Sequence, residues 1–357
     1  VILLDSEDTA AAKKVSVVIL NYNGVEHIDE CLSTVLNQTY PHYDVIVVDS
    51  ASSDLSVNYI QSKYPDVILL PFKENLGYAR GNNIGIEHTD GDYVAILNND
   101  TIVEPDWIKE LVKTLQSRDD VCFVTSKLKI YHDRDTINAR GIVIHYTGPS
   151  FNNGLFERDD DSSSQMSVPG VNGCAFAARR DVLKEIGAFD PDFFMHMEDA
   201  DLSLRARLAG YDILYVPTSV VYHKYRLNIG SNEKFYRLER NRYLLLLKNY
   251  STRTIVVLLP ALLLTELMII GYTFIWGRSY MSSKLKVLKW LYRNRKRIKI
   301  KREQVQKLRK VNDTKVLTAL GKTMPANQLS ANSYIQKGVE VFNLLFKGSY
   351  SLLKYFL

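Results

Sequence analysis

The chain has 357 residues, of which 46% are apolar, 24% charged and 11% aromatic, and a formal net charge of +5. This composition excludes a disordered, collagen-like or disulfide-scaffold protein, and the length suffices for about two domains with a substantial core. The charge is segregated: between Arg278 and Lys310 fourteen Lys and Arg face one acid, Glu303, a local +13 that leaves the rest of the chain at −8. Cys31, Cys122 and Cys174 show no metal-ligand spacing and imply reduced, inert thiols. The opening Val-Ile-Leu-Leu run is cut by Asp5 and lacks a basic lead, so no signal peptide is expected.

Residues 1–14 read as a loose arm. Val15-Ser-Val-Val-Ile-Leu20 is a β-branched run ending in Asn21-Tyr-Asn-Gly24, a buried strand and a turn. Ile28, Cys31, Leu32, Val35 and Leu36 have helical spacing and stop at Tyr40-Pro41. Tyr43 to Asp49 is a second strand, 55–63 a helix, Val67 to Pro71 a third strand, 77–88 a helix, and Tyr93 to Leu97 a fourth strand running into Asn98-Asn-Asp100. Strands alternating with helices predict βαβ units around a mostly parallel sheet. Ligands bind beyond the carboxyl ends of such strands. Asn21 and Asn23, Asp49, Asn75 and Asp100 each follow one of the four strands, which makes that edge a candidate site.

Strands are expected at 121–130 and 140–146, followed by a polar stretch, 157–164, read as a solvated loop with an active-site lid as the sharper alternative. Gly170 to Arg180 suggests a tight turn and strand before a helix at 181–186. The acidic segment Phe189 to Asp201 opens a helix through Leu208 with Gly210 past its end, and strands at 211–216 and 220–223 close the unit.

The chemistry follows from residue type. A hard carboxylate such as Asp100 at the sheet mouth suits Mg²⁺ or Mn²⁺ together with substrate phosphates. His223 could add an imidazole, which Mn²⁺ accepts better than Mg²⁺. Arg80 could meet a diphosphate. In Glu198-Asp199-Ala-Asp201 the i and i+2 carboxylates cannot share a helix face, so one would act as general base while another caps the helix or fixes Arg205.

These motifs resemble the family 2 inverting glycosyltransferases of GT-A fold over about residues 15–230. The resemblance is carried by Val15 to Gly24, Val47-Val-Asp49, Asn75-Leu-Gly-Tyr-Ala-Arg-Gly-Asn-Asn-Ile-Gly85, Leu97-Asn-Asn-Asp100 and Glu198-Asp-Ala-Asp-Leu-Ser-Leu-Arg205, then Gly210-Tyr, Pro217 and His223. The third and fifth look most like the rhamnosyltransferase-like branch. The resemblance implies that Asp49 reads the nucleobase, flanked by Leu20, Asn21, Tyr22 and Asn23. Asn75 and Arg80 would hold the diphosphate of a nucleotide-sugar donor, beside Asn98 and Asn99. Asp100 and His223 would bind Mg²⁺ or Mn²⁺, and Asp199, with Glu198 beside it, would deprotonate the acceptor hydroxyl. Gly173, Asp201, Arg205 and one of Arg179 or Arg180 would lie on the acceptor side. One departure stands out: Asn98 replaces the first acid of the Asp-x-Asp motif and removes a charge.

Ile255 to Trp276 is apolar over 22 residues, about 33 Å as a helix and enough to cross a bilayer core. Cations flank it on both sides, against a single crossing, and Pro260 and Glu266 suit a kinked, re-entrant, in-plane or partner-packed helix. In Ser333–Leu357 Gln336, Glu340, Asn343, Lys347, Ser351 and Lys354 form one polar stripe on a broadly apolar helix. This fits an interfacial helix, with packing on the catalytic domain or a second copy as the competitor. Trp290 and Tyr292 interleave with the basic block, but its place between apolar helices favours anionic lipid over nucleic acid. The expected organisation is therefore an arm (1–14), a GT-A catalytic domain (15–230), a connecting helix (231–253), a transmembrane or re-entrant helix (254–277) and a basic, amphipathic membrane-associated region (278–357).

The activity expected is sugar transfer at the cytoplasmic face of the cell membrane, to a lipid-linked or surface-glycan acceptor. The alternatives are a polyprenyl-phosphate sugar synthase and a catalytically silent sugar-nucleotide-binding scaffold.

Overall fold

A computed structural model describes residues 13–160, 164–226 and 231–356. The expected arm therefore lies outside the described residues except for Lys13 and Lys14, as do 161–163 of the polar stretch. The first half alternates as its hydrophobic periods dictate: β1 (Val15–Asn21), α1 (Ile28–Val35), β2 (Tyr43–Ser50), α2 (Ser56–Lys63), β3 (Ile68–Phe72), α3 (Gly77–Glu87) and β4 (Tyr93–Asn98). β1 pairs in parallel with β2 and β4, and β2 with β3. Asn21 sits opposite Asp49 and Leu20 opposite Asn98, so the polar ends of three strands share one edge.

Alternation along the strands sorts side chains to two faces. Val17, Ile19, Ala95 and Leu97 pack with Ile28, Leu32 and Trp107, whereas Val18, Val94 and Ile96 pack with Ala79 and Ile86. Trp107 belongs to α4 (Trp107–Ser117), an amphipathic helix that follows the short β5 (Thr101–Val103) and was not anticipated. Next come β6 (Val121–Ile130), β7 (Asp133–Arg140) and the hairpin β8 (Ile142–Ile144) and β9 (Ser150–Asn152). The single strand expected at 140–146 is thus split between two ladders, with Gly141 at φ +75° as the break. β10 (Met166–Ser167), β11 (Ala175–Arg179), α5 (Arg180–Ile186), α6 (Glu198–Leu208) and β12 (Asp212–His223) complete a sheet of order β10-β12-β6-β11-β4-β1-β2-β3. β12 is one strand with a register shift between Val216 and Val220, where two strands were expected. The polar stretch is anchored at its start: Asp159, its side chain 1% exposed, pairs with Lys127 and Lys129, both at about 3 Å.

The C-terminal helices are α7 (Asn232–Asn249), α8 (Thr252–Val257), α9 (Leu259–Trp276), α10 (Arg278–Lys307), α11 (Asp313–Ala319), α12 (Ala326–Leu329) and α13 (Ser333–Leu353). Leu244, Leu245 and Tyr250 of the α7 region and Phe346 of α13 share one cluster with Ile144, Tyr146, Phe193, Ala200 and Leu204. The rear of α6 is therefore a floor for both parts, and a boundary at 230/231 cuts through a single core.

The apolar stretch 255–276 is interrupted at Leu258, with Pro260 in the first turn of α9, where its missing N–H costs no helical bond. Among the described residues no helix is long and apolar enough to cross a membrane. Glu266 is not stranded in an apolar face: it pairs with Arg242 and with Lys284 at 2.6 Å, and Glu239 closes the buried cluster. α13 docks through Phe346, whose ring lies 4.8 Å from that of His145. Its Val341, Leu344 and Leu352 remain exposed, as do Leu263, Leu267 and Phe274 of α9.

Candidate active site

Two arrangements meet at the carboxyl edge of the sheet. At the ends of β1 and β2, Asn21 donates to Asp49 at 2.8 Å and accepts from Asn99 at 2.7 Å. Asp49 also accepts from the Ser52 hydroxyl and backbone N–H, at 2.6 and 3.0 Å. Its carboxylate is thus saturated within the fold and buried. Asn23, at φ +50°, accepts from the Ser53 N–H, and Tyr22 is exposed beside it. Gly24 is required here because a Cβ would lie 2.1–2.2 Å from the Asn99 and Asn21 side chains. The Leu20 side chain meets the backbone of Gly81 on α3.

The expected diphosphate ligands are distributed differently. Asn75 accepts from the Gly77 N–H at 2.9 Å and opens α3, whereas Arg80 is a surface residue paired with Glu74 at 2.6 Å. Arg80 does not line the pocket that contains Asp100. The cations that do are Lys224, Arg226 and Lys234, from the end of β12 and the start of α7.

That pocket, about 340 Å³, is also lined by His27, His196 and His223. Asp100 Oδ2 lies 3.3 Å from His223 Nε2, and His223 Nδ1 is fixed at 2.8 Å by the Asn138 side-chain oxygen. The second bond orients the ring so that Nε2 faces the carboxylate, as an outer partner of a ligand should. Burial alone would lower the His223 pKa, but Cys174 and Asp100 raise it to about 10. Asp100 Oδ1 is buried without a hydrogen-bond partner. Among the described residues no group of three His, Cys, Asp or Glu could enclose a metal. An orphaned carboxylate oxygen and one aligned imidazole, which must give up its proton on ligation, fit a divalent ion that takes its remaining ligands from water and substrate phosphate. Asn98 contributes its backbone, donating to the Cys174 carbonyl at 2.9 Å.

The second arrangement is the carboxylate pair opening α6. Asp199 is half-buried, and its two oxygens accept from the Gly173 N–H at 3.1 Å and the Ala200 N–H at 2.7 Å. Gly173 is held in turn by the Tyr78 hydroxyl. Burial raises the Asp199 pKa against those bonds. Glu198 is buried with Oε2 unpaired; burial and the neighbouring Asp199 raise it to about 8. The turn Asn172–Cys174 joins the two arrangements, since Gly173 binds Asp199 while Cys174 meets Asn98 and His223.

Three further expected residues are engaged within the fold. Asp201 accepts from Arg205 at 2.9 Å, Lys248 at 3.0 Å and Asn249 at 2.9 Å, and is fully buried. Arg205 spends its remaining donors on the carbonyls of Ile186, Gly187 and Ala188. Both lock α6 to its neighbours. Arg179 likewise binds the carbonyls of Leu115, Arg118 and Val121.

The segment before α6 is strained: Phe194, His196 and Met197 all have φ between +60° and +71°. Such residues persist where surrounding bonds over-determine them. The Asn241 amide donates to the carbonyls of Phe193, Met195 and His196, and Arg240 to those of Asp192 and Phe193. The Phe194 ring covers Gly77, where a Cβ would approach it to 2.6 Å. Asn241, His27, His196 and Lys234 escaped the sequence reading because none sits in one of the motifs, and Tyr78, inside the Asn75–Gly85 motif, was passed over because its hydroxyl acts only through the distant Gly173 carbonyl.

Residues 16–187 match the family model described as Glycosyl transferase family 2. An uncharacterized glycosyltransferase of Haemophilus influenzae is 29% identical over 236 residues, covering 64% of this chain and 69% of that protein. The solved structure of GalNAc-T7 with UDP, GalNAc and Mn²⁺ aligns with a TM-score of 0.58 and 16% identity, over 70% of this chain and 51% of that one. Mannosyltransferase PcManGT of Pyrobaculum calidifontis, in complex with GDP-Man and Mn²⁺, aligns at 0.51 and 16% identity over 96% and 87%. At these identities the structural likeness is one of fold: a GT-A-like α/β unit.

Proposed function

We propose that the protein is an inverting, metal-assisted glycosyltransferase, akin to the rhamnosyltransferase-like branch. It moves a sugar from a nucleotide-sugar donor to a lipid-linked or surface-glycan acceptor at the cytoplasmic face of the membrane. The observation that carries the reading is the turn at Gly173–Cys174, which ties the Asp199 carboxylate to the Asp100–His223 pocket. The glycosyl transferase family 2 match and the Mn²⁺-bound neighbours support it.

In this mechanism Asp100 and His223 would hold the divalent ion, which would supply Lewis-acid stabilisation of the diphosphate leaving group. Lys234 and Arg226 add positive charge to the same pocket wall. Asp199, fixed by two backbone N–H groups, accepts the acceptor hydroxyl proton. The oxygen forms its bond to the anomeric carbon on the face opposite the departing nucleoside diphosphate, and the configuration inverts. A carboxylate with a raised pKa is a stronger base for that step.

Screening UDP-, GDP- and dTDP-sugars with Mn²⁺ for thermal stabilisation and hydrolysis tests the reading, because a ligand stabilises only the state that binds it. Metal-dependent stabilisation with turnover supports it; stabilisation without any turnover or transfer indicates the silent scaffold instead. A polyprenyl-phosphate synthase would need little base, so undiminished transfer by Asp199→Asn would favour that reading. For the membrane, Leu263, Leu267 and Phe274 are exposed on α9 beside the exposed face of α13. Replacing these three with Ser should release full-length protein from vesicles; unchanged sedimentation would remove α9 from the membrane contact.

A further inference from the structure

The +13 block does two different things. In its C-terminal half several of the cations are used internally. Arg297 and Lys301 pair with Asp192, Lys301 also with Asp190, Lys310 pairs with Glu185 at 2.8 Å, and Arg302 binds the carbonyls of Leu247 and Tyr250. Lys284, near the start of α10, is engaged by Glu239 and Glu266. Lys286, Lys289 and Arg293 differ. They make no ion pair among the described residues, and all three line one cleft of about 410 Å³ between α7 and α10.

Their spacing of three and four residues puts them on one face of α10. The opposite wall is the first turns of α7, contributing Asn232, Glu233 and Tyr236, with Trp290 alongside. The carboxylate in the cleft, Glu233, is engaged by Arg237 at 2.8 Å. Arg240 packs against both aromatic walls, 5.1 Å from the Trp290 ring and 5.8 Å from that of Tyr236. The same Arg240 holds the strained segment ahead of Asp199. The first turns of α7 also carry Lys234 into the Asp100 pocket, so the two cavities flank one stretch of helix. Beside the cations on α10 runs a second stripe, Leu285, Leu288 and Tyr292, which is exposed and apolar.

We infer that the cleft between α7 and α10 binds a phosphate ester, and that its natural occupant is the phosphate or diphosphate joining the acceptor to a lipid. Three cations against one carboxylate, Glu233, which Arg237 already engages, favour a doubly charged oxyanion, and the aromatic walls and one helix N-terminus confine it. The adjoining apolar stripe favours a phosphate that arrives with hydrocarbon attached. The inference rests on the proposed transfer to a lipid-linked acceptor and sharpens a diffuse basic surface into a defined site.

The test uses full-length protein and three probes: inorganic pyrophosphate, phosphatidylcholine vesicles carrying a polyprenyl phosphate, and phosphatidylcholine vesicles carrying phosphatidylglycerol. A cleft variant, Lys286→Ala/Lys289→Ala/Arg293→Ala, is compared with a control, Lys296→Ala/Lys299→Ala/Lys307→Ala, which removes exposed cations of α10 outside the cleft. The cleft variant should bind pyrophosphate and polyprenyl-phosphate vesicles roughly a hundredfold more weakly, with the control within about threefold of wild type. Unchanged binding by the cleft variant, or equal losses in both variants, would overturn the site. Binding to phosphatidylglycerol vesicles without any preference for polyprenyl phosphate or pyrophosphate would overturn it too, while leaving membrane attachment intact. Cleft-dependent binding of pyrophosphate without binding to any vesicle would retain the phosphate site and refute the lipid source together with membrane attachment. Both variants should keep the wild-type melting temperature, since their side chains are exposed.

Discussion

The Asn241 side-chain amide donates to the carbonyl of His196, a residue held at φ +71° only two positions before the carboxylate pair of α6. With its bonds to Phe193 and Met195, this amide replaces the backbone partners that an irregular segment lacks. Asn241→Ala should leave the segment free to relax and the Asp199 oxygens out of line. A fall in kcat of about a hundredfold, with donor KM nearly unchanged, is the expected outcome. Steady-state kinetics beside a melting curve checks it; a normal kcat in a folded variant would contradict the positioning role.

Asp199→Asn keeps shape and loses the proposed base. We expect kcat to fall by about 10²–10⁴, with Mn²⁺-dependent stabilisation by the donor retained. Asp100→Ala should abolish that stabilisation. Thermal shift with and without metal separates the two, and identical behaviour of the variants would remove the division of labour.

The pH profile should carry the mark of the coupled pair. Burial raises Asp199 above its usual value and Glu198 to about 8. The base works only when ionised, so kcat/KM should rise with pH, on a limb displaced upward from the ordinary carboxylate range. Glu198→Gln leaves intact the burial that raises Asp199, so the limb should stay displaced upward in the variant. A limb within the ordinary carboxylate range in the wild-type protein would show that Asp199 is not the group that titrates.

A fourth outcome concerns stability. His145 is completely buried against Tyr146 and Phe346, and burial pushes its pKa from 6.5 down to about 3. Between those values the unfolded chain binds a proton that the folded one refuses, so stability is lost as pH falls below 6.5. By pH 5 this amounts to about 2 kcal/mol. His145→Asn should melt lower at pH 7.5 yet show a smaller drop from pH 7.5 to 5 by calorimetry. An equal drop in both proteins would assign the acid sensitivity elsewhere.

Much of the catalytic half was legible because its signals are local. The β-branched runs at 15–20 and 43–49 and the polar residue ending each need only a period and a strand end to be read. Asp201 and Arg205 show where such reading stops. Their i,i+4 spacing announced the pair, but only folding reveals Lys248 and Asn249 arriving from 47 and 48 residues away to bury it. The lone Arg80 illustrates the converse: a cation in a persuasive motif, turned to the surface by Glu74. Helix α4 was missed although Trp107, Ile108, Leu111, Val112 and Leu115 make a clear apolar face. The C-terminal stretches were readable as amphipathic, but amphipathy does not say whether lipid or protein covers the apolar side. Phe346 meets protein while Leu344, two positions earlier, does not.

The floor shared beneath α6 also bears on how this chain could be re-engineered. Grafting a new acceptor preference by exchanging everything after residue 230 would strip Leu244, Leu245, Tyr250 and Phe346 from the underside of the helix that presents Asp199. Truncation at residue 254 would likewise uncover Tyr146, which touches Phe346 and Tyr350. Recombination should therefore keep α6 with α7–α13 as one inheritable block, and place its junctions before Glu198.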